Sequence, residues 1–374
     1  MKKKNIKYFI YDDCNKLFLN KLFLKENYKI FNFRKIFNSK LNKVLFSLKF
    51  LIQNLFSFKN MMILIKDGFH VAIICNEIKN YKPKFVITTT DNDLRFYLFK
   101  KYFDKNIKFI AIQNGIRSRF LDMFDNPLLI SQKKYLSADY YLSFGSNIKN
   151  LLNIYIKAKV IPIGSFKSNF VKINKRSLKY NSNNCILYIS TFRDRSKFGV
   201  LGRSSTNKIV YNKEILNEEI SLIKNLKKYC IKNKLKFSIA GASLSSSINE
   251  MNFYRGLLAN CNWKFYERKK VFSNYKLIEN FEIIISNGGT LGYEALGRNK
   301  KVAFFLRNFS PFKKDWLYGW PDQRLSKGFF YTNSHFENEI NRILNNLRKV
   351  KNSEWNSILM KEKNRYMHFY PDNK

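Results

Sequence analysis

Short apolar runs alternate with stretches of helical length from one end of the chain to the other. The runs "IKYFIY", "KFVITTT", "KFIAIQ", "YYLSF", "KVIPIG", "CILYIS", "KFSIAG", "EIIIS" and "KVAFFL" are rich in β-branched and aromatic residues. They are too brief for helices and read as buried strands. Helices are predicted between them at 94–103, 146–154, 214–232, 248–259 and 336–349. This alternation predicts α/β layers built on parallel sheets. A polar stretch, "KINKRSLKYNSNN", interrupts it at 172–184 and sets the expected boundary between a first domain, 1–175, and a second, 176–374. A chain of 374 residues suits two domains of ordinary size. The longest apolar stretch, "VLFSLKFLIQNLF" at 44–56, contains Lys49 and Gln53. It predicts an amphipathic or buried helix rather than a membrane span. Residues 20–66 otherwise show no clear pattern.

Candidate chemistry falls where these strands end, the edge at which open α/β sheets place ligands. "EIIIS" runs into "NGGTLGYEALG", a turn that opens a predicted helix. Glycines at 288 and 289 let backbone N–H groups come close to a ligand, and the start of the helix favours an anion such as phosphate. Ser286, Asn287 and Thr290 flank the turn. Glu294, one turn into the helix, is an acceptor suited to two sugar hydroxyls. "CILYIS" leads to Arg193 and Arg195, fork-like donors for a diphosphate. "KFSIAG" ends at Gly241 in a turn of small residues, against which a nucleotide base can lie. These nine positions form the expected donor site.

In the first half, Gln113, Asn114 and Arg117 follow "KFIAIQ" and form the expected acceptor site, although Asn-Gly is also an ordinary turn. "DND" after "FVITTT" matches the D-x-D metal pattern. The match is weak, an Asp at a helix start more often caps the helix, and no metal site is predicted. Asp91 is the expected general base. It is preferred to Asp12 and Asp13, adjacent residues of which at most one faces inward, and to Asp93, where bonding to backbone N–H groups would lower basicity.

Composition narrows the partners. Lys and Arg number 69 against 27 Asp and Glu, a formal charge of +42. The excess is mostly Lys spread along the chain beside abundant Asn, Ile and Phe, as an AT-rich genome would favour. No nucleic-acid-binding motif accompanies it, so attraction to an anionic lipid surface is expected and nucleic acid is not. Cysteines at 14, 75, 185, 230 and 261 include no C-x-x-C pair, and the three histidines have no ligand spacing, so neither disulfides nor zinc is predicted. The amino-terminal apolar stretch runs only from Tyr8 to Tyr11 before Asp12, which argues against a cleaved signal and for a cytoplasmic protein.

"SNGGTLGYEALGRNKKVAFF" resembles the donor-site signature of GT-B glycosyltransferases and of the related non-hydrolysing nucleotide-sugar epimerase. With "FIAIQNGIR", "LSFG", "VIPIGSFKSNF", "LYIS", "GWP" and "NRYMHFYPDN", the chain from about 84 to 370 resembles bacterial surface carbohydrate biosynthesis proteins of GT-B-like fold. The resemblance implies two Rossmann-like domains facing across a cleft. It also implies a diphosphate held at Gly288, Gly289 and Thr290, ribose hydroxyls at Glu294 and, more weakly, a part for Arg193. The related polyol-phosphate polymerases tend to have His where this chain reads "QNG", and Asn114 is no base. The expected activity is metal-independent glycosyl transfer from a nucleotide sugar, with no further cofactor, to a glycan or lipid-linked glycan of a surface polysaccharide or lipopolysaccharide. The expected place is the cytoplasm or the face of the inner membrane. An epimerase would share the donor site but need no acceptor; a non-catalytic scaffold would bind nucleotide without turnover.

Overall fold

The structure is a computed structural model. It describes all residues except 1–5, 24, 35–38, 55–56, 119–121, 173–183, 195–198, 204–208, 308–316, 323–324 and 371–374. Two compact units emerge, the first of residues 1–114, 126–143 and 149–162, the second of 115–125, 144–148 and 163–374. The chain thus leaves the first unit and re-enters it twice. The boundary expected at 175/176 falls outside the described residues.

In the first unit, β1 (Tyr8–Ile10), β2 (Tyr28–Ile30), β3 (Phe85–Thr88), β4 (Lys108–Ile112), β5 (Ser137–Ser143) and β6 (Lys157–Pro162) form one sheet. Its order is β2-β1-β3-β4-β5-β6, every pair parallel. Phe9, Ile10, Val86, Phe109, Ala111 and Tyr141 are wholly buried, as strands covered on both faces require. The helix Phe58–Tyr81 breaks at Gly68, whose φ of 82° is not helical.

The second unit repeats the plan. Its strands are β7 (Cys185–Ile189), β10 (Lys236–Ala240), β11 (Trp263–Tyr266), β12 (Ile283–Ser286), β13 (Lys301–Phe305) and β14 (Tyr331–Thr332). They pair in the parallel order β11-β10-β7-β12-β13-β14, while β8 (Val200–Arg203) and β9 (Ile209–Tyr211) form a separate antiparallel pair. Leu187, Ile239, Ile284, Ile285, Val302 and Ala303 fill the core. The helix Glu337–Lys349 shows why the covering helices form. Ile340, Ile343, Leu344 and Leu347 recur at i, i+3, i+4 and i+7 and are buried. Glu337 and Glu339 stand in its first turn and Arg348 and Lys349 in its last, each complementing the helix dipole. Doubly wound parallel sheets place their ligand sites at the carboxyl ends of the strands, which in this unit carry the Gly-rich turn.

Candidate functional site: a polar cavity in the second unit

β12 is buried throughout and ends at Ser286. Gly288 then adopts φ 76°, a left-handed conformation that favours glycine, and Gly289 caps the helix Thr290–Gly297. The helix lies close upon β12 because its third residue is Gly292, where a Cβ would come within 2.2 Å of Ser286 Oγ. No side chain caps this helix, so its first N–H groups are free to meet a ligand. Thr290 Oγ1 instead accepts from the Ile116 N–H at 3.1 Å and ties down residues 115–118.

A cavity of about 660 Å³ opens over this turn, a volume in the range of small-molecule and cofactor sites. Asn287, Gly288, Gly289 and Thr290 line it, as do Arg193 after β7 and Arg268 after β11. Arg117 and Arg307 bring further guanidinium groups, while Leu317 and Trp320 give it an apolar side. Several of these groups have no protein partner. Neither end of the Asn287 amide is hydrogen-bonded, although the residue is 5 % exposed. Nor is Asn274 Oδ1 or Arg268 Nε, while Asn274 Nδ2 donates to Gly241 O and Arg268 Nη1 to Ala242 O. A buried polar group without a partner costs about 1–3 kcal/mol. Several facing one cavity mark it as built for a polar ligand.

The sequence-predicted donor residues divide accordingly. Arg193, Asn287, Gly288, Gly289 and Thr290 line the cavity. Gly241 lies one residue from its wall, at Ala242. Ser286 is buried beneath the helix. Arg195 lies outside the described residues.

Glu294, expected to meet ribose hydroxyls, does not line the cavity. Its Oε1 accepts from Ser165 Oγ and from Tyr275 OH at 2.9 Å, with 3 % of the residue exposed. Burial pushes its carboxyl above the ordinary value, against those two hydrogen bonds. Between the unfolded and folded values the native state keeps a proton that the unfolded state has lost, so Glu294 costs stability as pH rises through that window and nothing below it. Glu294→Gln keeps an acceptor for both hydroxyls and carries no charge. It is expected to melt with the wild type at about pH 4 and above it at about pH 8, the gap opening with pH. A variant less stable at the higher pH would show the charge to be compensated.

The expected acceptor triplet is divided between the units. Gln113 and Asn114 belong to the first and Arg117 to the second, where it lines the donor cavity. Arg117 Nη1 is held by Asp122 at 2.7 Å and Nε by Gly115 O. Asn114 accepts from Asn15 Nδ2 through Oδ1 and donates its N–H to Asp91 at 2.9 Å. Gln113 is buried, its N–H on Leu142 O.

Asp91, expected to present its carboxylate to an acceptor hydroxyl, is fully buried. Oδ1 takes the Asn114 N–H and Oδ2 the Tyr141 hydroxyl at 2.7 Å. The physical reason is local. A strand-end carboxylate is well placed to satisfy the N–H of a neighbouring strand's turn, and here it does so. Asp93 forms a two-point pair with Arg95 and accepts from Tyr11 OH. Burial would raise its carboxyl, but Arg95 and Tyr11 hold it below the ordinary value. Tyr11 OH also meets His70 Nε2 at 2.8 Å. Burial lowers His70 to about 4, a neutral ring at neutral pH. Among the described residues no cluster of three or more His, Cys, Asp or Glu is arranged to hold a metal.

Cavity residues that sequence reasoning missed are Glu219, Asn274, Arg268 and Arg307. Each comes from a separate element, and nothing local in the sequence marks any of them.

Two units, each a parallel α/β sheet with a polar cavity at the strand ends of the second, define a GT-B-like protein. The chain belongs to the family described as "putative O-antigen biosynthesis protein", whose model matches residues 110–374, and so to surface polysaccharide biosynthesis. No curated protein matches it by sequence. Its fold is similar to that of the UDP-GlcNAc 2-epimerase of Neisseria meningitidis bound to UDP-GlcNAc. That match has 15% identity and a TM-score of 0.50, over 99% of this chain and 96% of that one. A "putative UDP-N-acetylglucosamine 2-epimerase" from Listeria monocytogenes matches at 12% identity and TM-score 0.53, over 98% and 99%. The Methanocaldococcus jannaschii UDP-GlcNAc 2-epimerase in complex with UDP-GlcNAc and UDP matches at 14% and 0.51, over 93% and 94%. At these identities the likeness is one of fold.

Proposed function

We propose that this protein is a glycosyltransferase that takes a sugar from a nucleotide-activated donor held in the cavity of the second unit and passes it to a surface polysaccharide or lipopolysaccharide acceptor. One observation carries the reading: the helix start at Gly289, Arg193 and the unpartnered Asn287 amide all line one cavity. Family membership in O-antigen biosynthesis supports it, as does a fold shared with proteins that bind UDP-GlcNAc. An acceptor hydroxyl attacks the anomeric carbon, and the departing nucleotide phosphate is stabilised by the N–H groups of the Gly-rich turn and by guanidinium groups. These donors are fixed before the charge develops, which is what lowers the barrier.

The test is mass spectrometry of the protein incubated with a panel of nucleotide sugars, with and without glycan acceptors. Transfer yields a heavier acceptor and free nucleotide. Interconversion of the nucleotide sugar without acceptor would identify an epimerase, and binding without turnover a scaffold.

The same reading places the enzyme at an anionic lipid surface. On the helix Lys40–Asn54, Val44, Leu45, Leu48 and Ile52 are each more than half exposed and share one face; Phe58 and Ile65 are likewise exposed on the next helix. Lys49, Lys59 and Lys66 are exposed among them. From residue 27 to 66 the sequence holds eight Lys or Arg and no Asp or Glu. Apolar side chains bordered by cations alone complement an anionic headgroup layer, each basic residue near the surface adding about 1 kcal/mol. Among the described residues no helix is long and apolar enough to cross a membrane. The protein is expected to float with vesicles containing phosphatidylglycerol at low salt, and Leu48→Glu/Ile52→Glu to remain at the bottom of the gradient. Equal flotation of the two would remove this face from the reading.

A further inference from the structure

Glu219 is the one carboxylate among the described residues that line the cavity, in a wall that otherwise offers guanidinium groups, amides, hydroxyls and apolar side chains. It stands on the helix Asn212–Lys232 and is 2 % exposed. Three hydroxyls hold it in place. Tyr188 and Tyr254 donate to Oε1 at 3.1 and 2.6 Å, and Thr191 donates to Oε2 at 3.2 Å. Tyr254 is itself oriented: Ser190 Oγ lies 2.7 Å from its hydroxyl and accepts the Phe192 N–H. With Tyr254 donating to Glu219, the chain of donors runs from backbone through serine and tyrosine to the carboxylate. Burial, with Glu219 beside them, raises both tyrosine hydroxyls well above their ordinary values, so they remain donors.

A carboxylate offers about four acceptor directions. The two tyrosines occupy Oε1, and one hydroxyl meets Oε2. A group so firmly held does not swing, and its remaining acceptor direction on Oε2 belongs to whatever fills the cavity. That part of a ligand is not its diphosphate, because two anions in a low-dielectric site repel. Phosphate chemistry belongs to the Gly-rich turn and the arginines. Donors remain on the base, the ribose and the sugar. The sugar is the part the transfer reaction must select, and the experiment below separates it, because the free diphosphate keeps base and ribose and lacks the sugar.

We propose that Glu219 is the sugar-reading residue of the cavity: its Oε2 accepts a hydrogen bond from a hydroxyl of the transferred sugar, and the site takes a neutral sugar in preference to one that carries a carboxylate. The inference rests on the nucleotide-sugar reading of the cavity and adds the class of sugar. A site built to hydrogen-bond a hydroxyl discriminates strongly against ligands that leave its buried groups unpaired.

The experiment is calorimetry on the full chain with the diphosphates of uridine, guanosine, cytidine and thymidine, their glucose conjugates and their glucuronate conjugates. The wild type is expected to bind one diphosphate, its glucose conjugate more tightly and its glucuronate conjugate less tightly. Glu219→Gln is expected to bind that diphosphate as the wild type does, to lose about tenfold to a hundredfold for the glucose conjugate, and to lose the preference for neutral sugar. If Glu219→Gln does not fold, Glu219→Asp serves in its place, since it keeps the charge but draws the carboxylate back by one methylene; the same loss for the glucose conjugate alone is expected. Equal affinity of wild type and variant for the glucose conjugate, with the diphosphate bound, overturns this inference and leaves the cavity's assignment standing. No diphosphate bound by the wild type overturns both.

Discussion

Gly289→Val is expected to fold as the wild type does and to lose nucleotide binding by at least about a hundredfold, since two charge-assisted hydrogen bonds of about 1.5–3 kcal/mol each are at stake. The two halves of that result have separate causes. Gly289 has φ −71° and ψ 155°, a conformation open to any residue, and a Cβ there meets nothing within 4 Å. A β-branched side chain thus strains neither the backbone nor a neighbour. The residue nonetheless lines the cavity at the start of its helix, where a phosphate would approach the free N–H groups. Valine fills that space with two methyl groups. Gly288→Val differs: at φ 76° it strains the backbone, and its Cβ would lie 3.1 Å from Leu306 Cδ2. Thermal melts separate the two variants, and calorimetry with a nucleoside diphosphate reads the loss. A Gly289→Val protein that binds normally would move the phosphate elsewhere.

Arg298→Ala is expected to destabilise the second unit by about 3–5 kcal/mol, the usual cost of removing one partner of a buried ion pair. Its side chain is wholly buried and its Nε meets Glu279 Oε1 at 2.5 Å. Nη1 donates to the carbonyl oxygens of Ser168 and Val171, so the guanidinium also ties the chain after β6 to the helix Thr290–Gly297. Its Cζ lies over the Phe369 ring, 4.5 Å from the centroid. Removing it leaves Glu279 with Lys300, whose Nζ is 3.5 Å from Oε2, and takes a donor from two carbonyls, of which Ser168 O keeps the Val171 N–H. Pairing Arg298→Met with Glu279→Leu is expected to leave much of the loss in place, because the buried Lys300 then lacks this carboxylate; adding Lys300→Met is expected to recover most of it. Denaturant unfolding measures all three. A cost below about 1 kcal/mol for the single variant would mean that water reaches the pair.

The nine strands legible in the sequence are all present, because a parallel sheet covered on both faces demands unbroken apolar runs. Strands β2, β8, β9, β11 and β14 were not legible, and β2 and β11 show why. "YKI" is three residues among asparagines, and "WKFY" carries a lysine and exposes part of its surface at the sheet edge. The helix Phe58–Tyr81 escaped because it is buried on several sides, which erases periodicity, and because Gly68 breaks it. The stretch 44–56 reads as amphipathic or buried, and the exposed face of the helix Lys40–Asn54 shows the first. In the cavity, the Gly-rich turn was legible because strand, turn and helix are contiguous. Glu219 was not, since "NEEISL" has the look of a solvent face; only the tyrosines of β7 and of the helix after β10 make it a buried acid. Glu294 and Asp91 show the converse. Each has the residue type and spacing of a functional carboxylate, and each is spent on neighbouring donors that lie far away in sequence.

The central claim is that the second unit's cavity holds the nucleotide diphosphate of a sugar donor. It is tested most directly by an experimental structure with a nucleoside diphosphate bound. The account predicts phosphate oxygens within hydrogen-bond distance of the backbone N–H groups at Gly289 and Thr290, with Arg193 alongside and the Asn287 amide paired to the ligand. A nucleotide seated away from the Gly-rich turn, with Asn287 still unpaired, would contradict it.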